Sequence, residues 1–325
     1  MAVKRSLGPA ELVLAASVAR RYYLAGRTKI EIGDEFQLSR FRVARLLETA
    51  RAQGLVRIEI GHPGSVNTEV SERLRDAFQL QHAVVIDAVD GHEASLRQQL
   101  GRCAADLLTE ITAPDDVLGL AWARAVGAMA TQLRSLPAVP VVQLTGAMHR
   151  STGQVSPLDD DNSIDVVREV ARVARGPAYL FFAPFVVHDA ATAAALRQQP
   201  DVARALDQIP LVTKAVVGIG AWDAGLSTLY DAASDADRES LVEQGVCADV
   251  GCVFISALGT PLQTSLNERM VGITATQLMA VDEVIAIPYG VQKRDAVLAA
   301  VRSGLVSSLV THASLAAALL SGPET

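Results

Sequence analysis

The densest chemistry of the chain lies between Thr28 and Gly54, where Arg40, Phe41, Arg42 and Arg45 fall within six residues. Planar guanidinium forks match guanine edges and phosphate oxygens, which an ordinary solvated face does not require. Helical spacing turns these four side chains outward and sets Val43, Leu46 and Leu47 on the opposite, inward face. Two hydroxyls frame them. Thr28 can cap a short helix, Lys29–Phe36, with Glu31 three residues on as its capping-box partner. Ser39 can cap a second helix running to about Gln53, with Gln37 and Leu38 making the turn between the two and Gly54 the stop. A capped helix, a tight turn and a second capped helix form a helix-turn-helix, whose second helix enters the major groove with its N-terminal residues against base edges. Thr28, Ser39, Arg40, Phe41, Arg42 and Arg45 are therefore the expected DNA-facing residues. A small helical bundle with a basic surface would explain the charge, but not the coincidence of caps, turn and spacing.

The charge distribution agrees. Residues 1–60 hold 11 basic and 6 acidic side chains, a net of +5, whereas the remaining residues hold 18 and 30, a net of −12. Such a division points to an anion-binding module attached to an acidic body. Other chemical signals are weaker. The three cysteines (Cys103, Cys247, Cys252) are odd in number and lack ligand spacing, so neither a disulfide framework nor a metal site is expected. Gly218-Ile219-Gly220 lacks the third glycine of a dinucleotide fingerprint. Asp159, Asp160, Asp161 and Asn162 read as a solvated loop ahead of a helix rather than a calcium site. The pair His188-Asp189 reads as surface. No cofactor is expected.

The elements that would position these residues divide the 325-residue chain in two. Half the residues are hydrophobic and a fifth are charged, which excludes a disordered or fibrous chain. A first helix over Glu11–Ala25, ended by Gly26, and a strand over Leu55–Ile60 complete the head, with Ile30 and Ile32 pointing inward. Gly61–Ser65 reads as a linker, and Thr68–Phe78 as a connector helix packing against a partner chain. From Ala83 onward apolar strands alternate with helices. The expected strands are Ala83–Asp87, Val117–Leu120, Pro140–Leu144, Tyr179–Ala183, Ala215–Ile219, Val284–Ile287 and Leu309–Thr311. The expected helices are Glu93–Thr109, Trp122–Leu136, Ser163–Ala174, Ala190–Gln198 and Arg294–Ser303. Nearly continuous Val/Ile/Leu strands are buried on both faces, which predicts an open, doubly wound α/β domain. The expected organisation is a helix-turn-helix DNA-binding domain over 1–60, a linker and connector helix over 61–80, and a larger α/β domain over 81–325. No run of ~18 apolar residues lacks a charge, and the N-terminus lacks signal-peptide character, so a cytoplasmic protein without a membrane partner is expected.

The segment RRYYLAGRTKIEIGDEFQLSRFRVARLLETARAQGLVRIEI resembles the N-terminus of the sorbitol-operon (SorC-type) transcriptional regulators. The likeness continues in the family's order through VLGLAWARAVGAMATQL, VPVVQLTGA, AYLFFAPF, AVVGIGAW, GVCADVGCVF, ERMVGI and YGVQKRDAVLAAVRSGLVSSLVTHASLAAALL, and so covers nearly the whole chain. In that family a helix-turn-helix precedes a sugar-binding domain related to sugar-phosphate isomerases. The resemblance implies a regulator of a carbohydrate or polyol utilisation operon, partnered by operator DNA, by a sugar, sugar-phosphate or polyol effector, and by further copies of itself as a homotetramer, with residues 81–325 as its effector-binding and oligomerisation domain.

The resemblance also implies an effector site. Trp122 and Arg124 lie in one family loop, and Thr145, Gly146 and Ala147 in another. Both loops follow strands and open onto helix N-termini, where free backbone N–H groups meet ligands. Asp249 in CADVGC resembles the family's sugar-binding carboxylate, and Gly290 and Lys293 in YGVQK its effector-contacting loop. The chain departs from the family at Ala123 and Ala125, where glycine and a hydroxyl residue are usual, at Val291, and at His312, which stands in place of an aspartate. The two alanines favour an unphosphorylated sugar or polyol. The rival reading is a sugar-phosphate isomerase-like enzyme with an accessory DNA-binding head. That chemistry needs a positioned acid/base pair, and the ligand loops offer no His–Glu or Asp–His pairing, so no enzyme is expected.

Overall fold

A computed structural model describes residues 8–56, 66–88, 93–147 and 163–321. The chain divides into two compact units, residues 1–61 and 62–325. Most of the expected Leu55–Ile60 strand, the Gly61–Ser65 linker and the acidic run Asp159–Asn162 lie outside the described residues.

The first unit is helical. α1 (Pro9–Ala19) continues as one π-helical turn, Arg20–Leu24, rather than as a regular helix to Ala25. α2 (Lys29–Phe36) and α3 (Arg40–Ala52) follow. Ala15, Val18, Ile32, Val43, Leu46, Leu47 and Ala50 form its core. Ile32 is fully buried, but Ile30 is 59% exposed, against the expectation that both face inward. The two are only two residues apart, so a helix cannot turn both toward one core.

The second unit is built on a seven-stranded parallel sheet. Its strands are β1 (His82–Ile86), β2 (Leu118–Leu120), β3 (Val141–Gln143), β4 (Ala178–Tyr179), β5 (Lys214–Val217), β9 (Glu283–Ala286) and β10 (Ser308–His312), in the order β1-β10-β9-β5-β2-β3-β4. A second, antiparallel sheet of β6 (Ile219–Ala221), β7 (Val246–Val250) and β8 (Val253–Ser256) stands beside it. The expected strand Ala215–Ile219 is thus two strands, broken at Gly218, with the second leaving the parallel sheet to pair with β7. The expected strand Tyr179–Ala183 shortens to Ala178–Tyr179.

Alternate residues of each strand feed opposite cores. Ala215, Val217, Val284, Ala286 and Leu309 enter one, while Val216, Ile285, Ile287 and Val310 enter the other. Burial on both faces is what a helix-covered parallel sheet demands, and the doubly wound α/β architecture follows. The Thr68–Phe78 helix, α4, packs on β1 and on the C-terminal helix Ala313–Leu320, and α5 (Glu93–Ile111) covers the sheet beside β1 and β10. Leu74 is fully buried in this chain's own core, so α4 is a layer of the domain rather than a free-standing connector.

The two ends of the sheet are different environments. At the N-terminal ends of the strands Glu283, only 3% exposed, accepts from Ser308 Oγ at 2.6 Å, sits 2.7 Å from His82 Nδ1 and meets Lys214 Nζ at 3.2 Å. Burial pushes this carboxyl up, but those partners together hold it below the ordinary carboxylate range. This cluster ties four strand starts together. It leaves the C-terminal ends, where the order reverses between β2 and β5, as the open crevice of the fold.

Candidate functional site

In the first unit both caps form as the sequence predicts. The Thr28 hydroxyl accepts from Glu31 N at 3.3 Å, and Thr28 N donates to Glu31 Oε2 at 2.7 Å. The Ser39 hydroxyl accepts from Arg42 N at 3.2 Å. Gln37 adopts a left-handed backbone (φ 55°), and Gly33 accepts the amide of Leu38 at 2.8 Å. A methyl group on Gly33 would stand 2.7 Å from the Leu38 carbonyl oxygen, so only glycine permits this tight turn. The turn presents α3 with Arg40, Phe41, Arg42 and Arg45 exposed and Val43, Leu46 and Leu47 buried. Arg42 is drawn toward Glu11, 3.9 Å away. The guanidinium groups of Arg40 and Arg45 have no acceptor among the described residues.

In the second unit a pocket of about 350 Å³ opens at the strand-order reversal. It gathers Trp122, Arg124, Thr145, Asp249, Gly290 and Lys293, six of the eight expected effector residues. Gly146 and Ala147 do not line it. Their amides donate to the Val271 and Ala183 carbonyls, and a methyl on Gly146 would strike the Phe185 backbone at 2.7 Å, so this segment is a structural seam behind the pocket. Thr145, 1% exposed, accepts from Trp122 N at 3.1 Å and so couples the ends of β2 and β3.

Asp249 is placed by two features that the sequence reading did not single out. The β7–β8 hairpin closes through Gly251 and Cys252, both at positive φ (51° and 78°), in the manner of a two-residue primed turn. Across the sheet, Asp249 is registered opposite Gly220. A methyl on Gly220 would lie 2.3 Å from Asp249 Oδ1 and 2.7 Å from Ser227 Cβ. That missing side chain admits the Ser227 hydroxyl, which donates to Asp249 Oδ1 at 2.6 Å while accepting from Tyr230 N at 3.1 Å. The sequence signals were a hydroxyl ahead of a short helix and a glycine pair that fitted no nucleotide fingerprint.

Lys293 Nζ donates to the Ile219 carbonyl at 2.9 Å and lies 5.4 Å from the centre of the Tyr289 ring. Burial pushes the Asp249 carboxyl up, against the Ser227 hydrogen bond and the Lys293 charge. Burial likewise pulls the Lys293 ammonium down, with Asp249 opposing and Arg124 reinforcing the shift. Both charged forms gain from a ligand that hydrogen-bonds them, and a polyol hydroxyl can donate to the carboxylate while accepting from the ammonium.

Arg124 brings a second cation into the pocket, close enough to Lys293 to lower its ammonium. α6 (Arg124–Gln132) starts two residues later than expected, because Trp122 stays outside it and Ala123 is extended as its N-cap. No side chain caps α6, and Arg124 Nε is buried without a partner. With alanine at 123 and 125, no side-chain hydroxyl meets the first-turn N–H groups of this helix. Ala123 also packs under Gly218, where an added methyl would lie 2.6 Å from its Cβ.

His312 acquires a role here. Buried at the end of β10, it accepts from Gly290 N at 3.1 Å through Nε2, and its neighbour Thr311 donates to the Pro288 carbonyl at 3.0 Å. The loop bearing Lys293 is thereby pinned from behind. Burial holds the imidazole below its ordinary value of 6.5. With the folded value depressed, the contribution of neutral His312 is complete above about 6.5 and is lost as the pH falls through the folded value. Ligand affinity measured by calorimetry is expected to weaken on acidification in the wild type, and to do so less in His312→Gln, whose amide oxygen can accept in place of Nε2. Equal pH profiles would remove His312 from this role.

A helix-turn-helix head and an α/β body with a polar pocket at its switch point define a ligand-binding DNA regulator as the class. The family model described as "Putative sugar-binding domain" matches residues 63–321. Transcriptional regulator LsrR of Klebsiella pneumoniae is 27% identical over 321 residues, covering 97% of this chain and 94% of that protein. The uncharacterized transcriptional regulator YjhU of Escherichia coli K12 is 26% identical over 309 residues, covering 92% of each. Among solved structures, the full-length sorbitol operon regulator SorC of Klebsiella pneumoniae superposes with a TM-score of 0.72 at 22% identity, covering 96% of this chain and 99% of that one. The chain belongs to the sugar-binding-domain family of SorC-type regulators. No described helix is long and apolar enough to cross a membrane.

Proposed function

We propose that the chain is a DNA-binding transcriptional regulator of a carbohydrate or polyol utilisation operon, controlled by an effector in the switch-point pocket. The observation that carries this reading is the convergence, in one cavity, of Asp249 and Lys293 from distant segments with Arg124 at the uncapped start of α6. The naming of its relatives as transcriptional regulators supports it. Asp249 and Lys293 take the hydroxyls, and Arg124 with the α6 N-terminus takes one anionic group, so the fitting effector is a hydroxylated carbon chain with a single phosphate or carboxylate. The pocket residues act by binding, and no catalytic step is assigned to them. A cytoplasmic homo-oligomer, a tetramer on the family pattern, completes the proposal, because one helix-turn-helix reads only a half-site.

Titration calorimetry of the full chain against polyols, aldoses, ketoses and their phosphorylated and carboxylated forms tests it. One anionic member is expected to bind at least about tenfold more tightly than its neutral parent, a modest return for a charge-assisted pair. Tighter binding of the neutral parent would reject the anionic end while keeping the pocket. Absence of saturable binding across the panel, or steady turnover of a sugar phosphate, would contradict the regulatory reading.

A further inference from the structure

Phe41 is the second residue of α3 and is 86% exposed. Isolated exposed apolar residues are common and need no explanation by themselves. The setting of this one is what distinguishes it. Arg45 lies one helical turn further on, on the same face, with the small Ala44 between, and Arg40 precedes it. Neither guanidinium has an acceptor among the described residues, whereas Arg42 turns away to Glu11.

Guanidinium groups recognise guanine edges and phosphates, and they gain nothing from the C5-methyl that marks thymine in the major groove. An apolar ring does. We propose that Phe41 reads the 5-methyl group of a thymine in each operator half-site, as an apolar contact set between two arginines. This inference rests on the DNA-binding reading of the head. A second copy of the chain is a poorer occupant of the same face, since pairing two such faces would bring Arg40 and Arg45 of each against the other. DNA neutralises those charges, and the head's net charge of +5 matches it.

The test starts from a random duplex library selected by the full-length wild-type protein. Each thymine of the selected site is then replaced by deoxyuridine, which lacks only the methyl group. One thymine per half-site is expected to lose about fourfold in affinity on this replacement, the worth of one buried methyl group. Phe41→Ala is expected to bind the thymine and deoxyuridine duplexes equally, and Phe41→Leu to keep part of the difference. No sensitive thymine, or the same methyl response in Phe41→Ala as in wild type, overturns the proposal. So does an unchanged methyl response accompanied by altered sedimentation of Phe41→Ala, which would assign the ring to a contact between copies. Failure of the wild type to enrich any sequence would instead reject DNA binding by the head, and with it this inference.

Discussion

Replacing Arg40 and Arg45 together with alanine is expected to lower operator affinity about a hundredfold, since each base-contacting arginine contributes roughly 1–3 kcal/mol. Both side chains are exposed and make no ion pair among the described residues, so the melting temperature should hardly move. Anisotropy titrations at several salt concentrations separate their roles. An arginine on a base relaxes preference at one position. An arginine on a phosphate weakens all sequences alike and lowers the salt slope by about one. Arg42→Ala should have the smaller effect, because its guanidinium is already drawn toward Glu11. Wild-type affinity in the double variant would take the DNA-reading role away from α3.

Gly220→Ala carries the second large expectation. The added methyl must share space with Asp249 Oδ1 and the Ser227 side chain, all packed against the β6–β7 pair. Overpacking of this kind costs about 1–3 kcal/mol. Here relief comes only by breaking the 2.6 Å Ser227–Asp249 bond or by tilting Asp249 in the pocket. Effector affinity should therefore fall at least about tenfold, with operator affinity retained because Gly220 belongs to the other compact unit. Calorimetry and thermal unfolding on the same sample separate the two costs. Undiminished effector affinity would show that the Asp249–Ser227 pair does not anchor the ligand.

The helix-turn-helix was legible because its signals are local. Caps at Thr28 and Ser39, the turn at Gln37 and the inward face of α3 are all set within a few residues, and the structure reproduces each. The alternation that predicted a parallel sheet was equally plain in the Val/Ile/Leu strands. The antiparallel sheet was not, because its defining event is a long-range pairing. β6 continues the apolar run of β5 and leaves the sheet only at Gly218, to meet a strand some thirty residues on. The pocket places of Ser227 and Gly220, and the support that His312 gives its Gly290 loop, were missed for the same reason. Their meaning lies in what stands opposite them: Asp249 for the first two, the Gly290 amide for the third. Gly146 and Ala147 lie off the pocket for the converse reason. They follow a strand as ligand loops do, yet their amides are spent on Val271 and Ala183. Asp249, Gly290 and Lys293 were brought to one pocket only through family likeness, since nothing local marks a carboxylate on a buried hairpin as lining a cavity.

The most direct measurement is operator binding by the wild type and by Asp249→Ala, each titrated with the sugar or polyol that binds best in the calorimetric panel. Wild-type affinity for the operator should change severalfold or more on saturation, in either direction, while Asp249→Ala binds the operator as wild type does and stays unresponsive throughout. An Asp249→Ala protein that answers the effector at the same concentration as wild type would contradict the placement of the effector in this pocket.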